Sequence, residues 1–260
     1  MVGTLALSGA LNLVAACAFV GTAAWFLAGL RHGLDAAARG AARSFALWWA
    51  GLGAFTAIQG AQDLLGAAGV TPLPLFVAFR YASLTIFLVA IYGLMDYTLY
   101  VRTGRTRHRP VVAAYLALAG LAVMALLAEN PPVGVDLMPW WTDVAFPRTP
   151  APALLGAILA AFSLPEIVAC LSQLLLARRL EASPARTRIL VVFGALLVYA
   201  LATAGSRYSG SSFAQLVLRP GLGLVVALLV VLAYRPRAPR AAFRLTPTRA
   251  ALEARVRELV

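Results

Sequence analysis

The 260-residue chain contains no lysine; all 22 basic side chains are arginine. No side-chain amine is on hand for a Schiff base, and no Gly-rich phosphate loop ending in lysine can form. Histidine is almost as scarce. His32 and His108 both lie among arginines, which excludes a bis-histidine haem inside a bundle. The two cysteines, Cys17 and Cys170, sit within apolar runs. They exclude a disulfide framework, offer no metal-ligand spacing, and read as small buried thiols. Charge is the deepest deficit: 12% of residues are charged against 62% hydrophobic, and mean hydropathy is +0.84. A soluble domain of this size does not have that composition.

What remains is organised in long charge-free runs: Met1 to Leu30, Ser44 to Gln62, Val111 to Ala128 and Ile189 to Ser206. Each reaches or approaches the ~20 residues that cross a bilayer. The pattern predicts an all-α, polytopic bundle of seven transmembrane helices over residues 1–234, with spans near 4–30, 45–66, 73–101, 111–128, 152–177, 189–206 and 212–234. Residues 235–260 form a basic tail. The first run is too long for a cleaved leader and lacks a basic segment before it, so it reads as a true span. The net charge of +12 would suggest nucleic acid in a soluble protein. Here most arginines fall in the first, third and fifth connections and the tail, which places the N-terminus outside and the C-terminus in the cytoplasm by the positive-inside rule. The expected partner is the lipid bilayer, in a bacterial-type plasma membrane, and not nucleic acid. Trp25, Trp48, Trp49, Tyr97, Tyr100 and Tyr234 fall near the cytoplasmic ends and read as an interfacial belt.

Polar residues recur at helical spacing inside six spans. Ser8 and Asn12 share a face in the first, and Thr56, Gln59 and Asp63, with Gln62 beside them, in the second. Ser163, Glu166, Cys170 and Gln173 do so in the fifth, Tyr199, Thr203, Ser206 and Arg207 in the sixth, and Ser212, Gln215 and Arg219 in the seventh. Such faces avoid lipid and should point at each other. The fourth span has only Tyr115 and is expected at the periphery. Arg80 lies about seven residues into the third span, or ~10 Å deep, and needs an acid if it faces the bundle. The expectation is an outer-half charge cluster of Arg80, Asp63, Arg219 and Glu166, with Gln59, Gln62, Tyr81 and Gln215 around it. Glu166, just after Pro165, is the deeper acid, whose charge burial opposes most. Hydroxyls and amides on these faces also serve as helix–helix contacts at ~0.6 kcal/mol each, but four ionisable groups cost more than that role requires.

The outer loop Glu129 to Ala151 carries Asp136, Asp143 and the Trp140-Trp141 pair. It reads either as a lid over the outer mouth or, preferably, as tryptophans resting at headgroup level. LPLFVAFRYASLTIF aligns with SFAQLVLRPGLGLVV so that Arg80 and Arg219 coincide. This gives a weak 3+1+3 repeat with the fourth helix as linker. In the tail, Leu252, Val256 and Leu259 are spaced four and three. Both a coiled-coil start that pairs two copies and an amphipathic surface helix fit.

Arg80-Tyr81-Ala82 resembles the third helix of microbial rhodopsins, which also have seven helices with the N-terminus outside. Ser83 stands where that family carries a counter-ion carboxylate, and without lysine covalent retinal binding is excluded; no cofactor and no metal site are expected. The 3+1+3 pattern is similar to small seven-helix sugar transporters, whose Pro-Gln signature is missing. The last span running into a coiled-coil-like helix resembles the seven-helix sensor regions of bacterial histidine kinases. That resemblance implies a receptor or sensor that binds a small ligand or proton in the outer half and signals through its C-terminal helix to a cytoplasmic output domain, as part of a longer protein. A transporter using the same charge cluster is the alternative. No catalytic constellation supports an enzyme.

Overall fold

The computed structural model describes residues 2–29, 36–147, 157–180, 183–206 and 220–234. They form seven helices and one small hairpin: α1 (Val2–Gly29), α2 (Ala36–Ala67), α3 (Leu73–Thr103), α4 (Arg109–Glu129), β1 (Gly134–Met138), β2 (Trp141–Ala145), α5 (Leu164–Arg179), α6 (Pro184–Ser206) and α7 (Leu222–Tyr234). Where the described residues cover them, the expected spans fall on helices. Four segments are by themselves long and apolar enough to cross a membrane: Val2–Ala28, Leu73–Thr103, Arg109–Glu129 and Ala160–Arg179. The protein is therefore a mostly helical membrane protein.

Local chemistry sets the helix ends. α2 stops in a Schellman motif: the Val70 N–H returns to the Leu65 carbonyl and the Gly69 N–H to Gly66, with Gly69 at φ 71°. Pro74 occupies the first turn of α3, where a missing N–H costs nothing. α3 ends at Gly104, φ 63°, whose N–H bonds the Tyr100 carbonyl. A π-helical turn, Leu159–Ser163, leads into α5. Pro165 has no N–H to offer the carbonyl four residues back, so the wider register suits this point. The Tyr115 hydroxyl of α4 donates to the Ala160 carbonyl in that turn at 2.8 Å.

Six helices close a ring: α1 on α2, α2 on α3, α3 on α5, α5 on α6, α6 on α7, and α7 back on α1. α4 lies outside the ring, against α3 and the π turn, as its lack of a polar face predicts. Its Val111, Leu118 and Leu121 are about two-thirds exposed to the surroundings, which suits lipid. The tightest contacts use missing side chains. A Cβ on Gly60 would meet the Gly9 carbonyl at 2.9 Å, and one on Gly51 the Ala90 Cβ at 2.6 Å. Small residues let helices approach where no hydrophobic drive exists between them.

The interior of the ring is filled by aromatic side chains. Phe45 stacks on Tyr97 with centroids 4.4 Å apart, and Tyr97 on Phe193 at 6.4 Å. Phe19 and Phe45 both pack on Trp49. Trp48 and Trp49 are fully buried, and Tyr97 and Tyr100 nearly so. The expected interfacial belt is thus largely core. Six helices in a ring leave a wide axis, and large flat side chains are what this chain has to fill it.

Candidate functional site

At the hairpin end of the bundle everything converges on Asp63 of α2, which is fully buried. Its Oδ2 accepts from Ser8 Oγ at 3.0 Å and Asn12 Nδ2 at 3.1 Å, both on α1. Its Oδ1 accepts from Gln59 Nε2 at 3.1 Å and from the Thr142 backbone N–H at 2.7 Å. The Ser8 hydroxyl also lies 2.7 Å from the Trp140 carbonyl, and Gln59 Nε2 lies 3.1 Å from the Thr142 carbonyl. One carboxylate therefore holds two helices and strand β2 together. Its four donors are all neutral, which spreads its charge without a cation.

The connection between α4 and α5 folds as a hairpin that packs on the end of the bundle. Its strands pair from Gly134↔Ala145 to Met138↔Trp141 around a two-residue turn, Pro139-Trp140. Thr142 and Val144 point inward and are buried. The hairpin lies directly on Gly66 of α2, where a Cβ would meet Thr142 Oγ1 at 2.5 Å and Leu137 Cδ2 at 3.0 Å. Gly66→Val is therefore expected to lift the hairpin. Amide exchange over residues 134–145 should accelerate at least tenfold while the helices keep their protection; unchanged exchange would mean that the hairpin is held elsewhere.

Arg80 faces the bundle but does not meet Asp63. Its Nη1 pairs with Asp143 Oδ2 of β2 at 3.2 Å. The other Asp143 oxygen accepts from the Val144 N–H at 2.8 Å, so the pair engages one nitrogen only. Among the described residues, Arg80 Nε is buried without a partner, as are Gln62 Nε2 and Thr142 Oγ1. The expected Asp63–Arg80 pairing is replaced by an acid from the hairpin, because donors on α1, α2 and β2 already fill the acceptor positions of Asp63.

Glu166 is also not part of this group. Phe162 stacks on Phe87 at 5.5 Å, and Gln173 Nε2 donates to the Thr98 carbonyl at 3.0 Å. Both links align Glu166 with Ile91, eleven residues further along α3 than Arg80, or ~16 Å at the helical rise. Glu166 is buried, and among the described residues nothing pairs with it. Tyr81 packs on the other side of α3, with Leu84, Val123 and Leu127. Arg219 and Gln215 lie outside the described residues, as does the tail.

The other end holds a second fastening that the sequence reading passed over. Asp96 of α3 is 1% exposed. It accepts from Arg109 Nε at 2.9 Å and Nη2 at 3.0 Å, from Ser44 Oγ of α2 at 2.5 Å, and from His108 Nε2 at 2.9 Å. The carboxylate only accepts, so His108 carries its proton on Nε2. The α3–α4 connection is short, and Gly120 lies against Leu88, so the first residue of α4 comes back level with Leu99, one turn from Asp96. Across α2 and α3 the Phe55–Phe87 contact sets Asp63 level with Phe79. The two buried carboxylates are then ~25 Å apart along the axis, close to the thickness of a hydrocarbon core, with the aromatic filling between them.

Among the described residues, no group of three or more His, Cys, Asp or Glu side chains could hold a metal ion. An open groove of about 430 Å³ between α6 and α7, lined by Thr187, Arg188, Val191, Leu229, Leu232 and Ala233, lies at the end away from the hairpin. Comparison with known protein families, characterised proteins and solved structures found no match. Fold and site together define the class: a helical membrane protein capped at one end by a hairpin that a buried carboxylate fastens.

Proposed function

We propose that the chain is a seven-helix receptor or sensor module of a bacterial-type plasma membrane, with the N-terminus and the hairpin outside and the C-terminus in the cytoplasm. A small ligand or a proton acts in the outer half. The resulting change in helix packing passes to the C-terminal helix, which pairs two copies and drives a cytoplasmic signalling domain. The observation that carries this reading is the hairpin fastened by Asp63 over an aromatic-filled interior. A conduit needs a polar way through, whereas a receptor needs a closed body with one end that can rearrange. The transporter alternative draws on Glu166, which puts a carboxyl on α5 between the two fastened ends, and on Gln173, level with the second of them.

Reconstitution separates the two. Proteoliposomes containing the full chain are expected to hold proton, sodium and chloride gradients as well as protein-free vesicles do. A flux that Arg219→Ala abolishes would sink the sensor reading and install the transporter. In a background with Cys17 and Cys170 replaced by alanine, Val256→Cys should cross-link two copies in membranes.

A further inference from the structure

Half of the unpartnered buried polar atoms among the described residues lie at one level, beneath the hairpin: Arg80 Nε, Gln62 Nε2 and Thr142 Oγ1. The Phe55–Phe87 contact fixes the register of antiparallel α2 and α3, and seven residues further along each helix Gln62 comes level with Arg80. Gln62 is one turn from Gly66, the residue that Thr142 Oγ1 lies against. Thr142 in turn directly precedes Asp143, the residue paired with Arg80. All three unpaired atoms can donate. Gln62 is 4% exposed and Thr142 fully buried. A buried donor without an acceptor costs a full desolvation penalty, and native proteins leave few of them unless something else binds there.

The geometry of Arg80 specifies the partner. Asp143 uses a single oxygen on Nη1, because its second oxygen is turned to the Val144 N–H. The Nε side of the guanidinium is left buried without a partner, and that edge presents two parallel N–H groups, the fork that matches a planar oxyanion. Asp63 does not compete for it: its oxygens are held by four donors, two on α1, one on β2 and Gln59 on its own helix. We propose that the outer mouth binds a small carboxylate on the Nε edge of Arg80, with the Thr142 hydroxyl and the Gln62 amide as further donors and the hairpin closed above it. The proposal rests on the receptor reading and names the chemistry of its ligand. The carboxylate adds to the Arg80–Asp143 pair and does not break it, so binding tightens the hairpin on α3.

The test is direct binding to the purified full chain, with acetate, succinate and inorganic phosphate each titrated, read by calorimetry and by the fluorescence of Trp140 and Trp141. At least one carboxylate is expected to bind saturably. Arg80→Gln should weaken it tenfold or more. Because Arg80→Gln also removes the Asp143 pair, Thr142→Val and Gln62→Met serve as second variants that leave every observed hydrogen bond in place. Each should weaken binding about threefold to tenfold. Three results would overturn the proposal: no saturable binding of any carboxylate, binding indifferent to all three variants, or phosphate bound while both carboxylates are refused. None of these touches the receptor reading, which fails on ion flux; equally, a flux abolished by Arg219→Ala would leave the carboxylate site standing as that of a transporter.

Discussion

Asp63→Ala is expected to unfasten the hairpin and to destabilise the protein by roughly 2–6 kcal/mol. The size follows from what is stranded. The carboxylate satisfies the Thr142 N–H, and with it disappear the acceptors of Ser8, Asn12 and Gln59. Ser8 and Gln59 keep second acceptors, the carbonyls of Trp140 and Thr142, only while the hairpin stays down. Asn12 and the Thr142 N–H have no other acceptor, and each buried unpaired donor costs ~1–3 kcal/mol. Letting water reach them means lifting β2. Thermal unfolding in detergent should fall by about 10 °C, and amide exchange should rise over residues 134–145 well before it rises in the helices. Asp63→Asn keeps one acceptor oxygen and the shape, so about 1–2 kcal/mol is expected. Equal losses for alanine and asparagine would show that Asp63 fastens nothing and that the hairpin is held by Val144 and Thr142 packing alone.

How much of this could be read in the sequence divides along physical lines. Charge-free runs are long because hydrocarbon tolerates nothing else, so the helices and their approximate ends were legible. So was the peripheral place of α4, since a helix without a polar face has no reason to enter a ring of polar faces. The identity of contacts was not legible. Asp63 and Arg80 stand at nearly the same depth on neighbouring helices, and pairing them is the obvious inference. It fails because a main-chain N–H, a hydroxyl and two side-chain amides from outside that pair already hold Asp63. Glu166 shares a polar face with Gln173, and its depth was misjudged because the relative slide of α5 along α3 is set by packing, here Phe162 on Phe87, which no periodicity encodes.

The hairpin does have a signal in the sequence. In GVDLM and WTDVA, Val135 and Leu137 alternate with polar neighbours, as do Thr142 and Val144, around Pro139-Trp140. That is the period-two pattern of a hairpin, hidden by the attraction of a tryptophan pair to the headgroup region. The buried Trp48 and Trp49 were a different matter. Their position near a helix end suits a belt equally well, and only the closure of six helices into a ring turns them inward.

The second large effect concerns the opposite end, and its direction depends on which partner is removed. Asp96 is 1% exposed as a side chain, whereas Arg109 is 36% exposed. Asp96→Asn leaves a guanidinium that can turn to water and headgroups, and an amide oxygen that still accepts one of its bonds; a cost of about 1–2 kcal/mol is expected. Arg109→Leu leaves a carboxylate buried with only Ser44 and His108, and the cost should reach about 3–5 kcal/mol. Arg109→Lys keeps the charge but loses the two-pronged grip, and falls between. The double variant Asp96→Asn, Arg109→Leu should be more stable than Arg109→Leu alone, since the stranded charge is gone. Thermal midpoints of the four proteins measure this, together with proteolysis of the 104–108 connection, which should open in Arg109→Leu because α4 is tied to the ring there and at Tyr115. Should Asp96→Asn prove the costlier change, the carboxylate would be acting on something other than Arg109, and the tie between α4 and the ring would have to be sought at the Tyr115 hydroxyl instead.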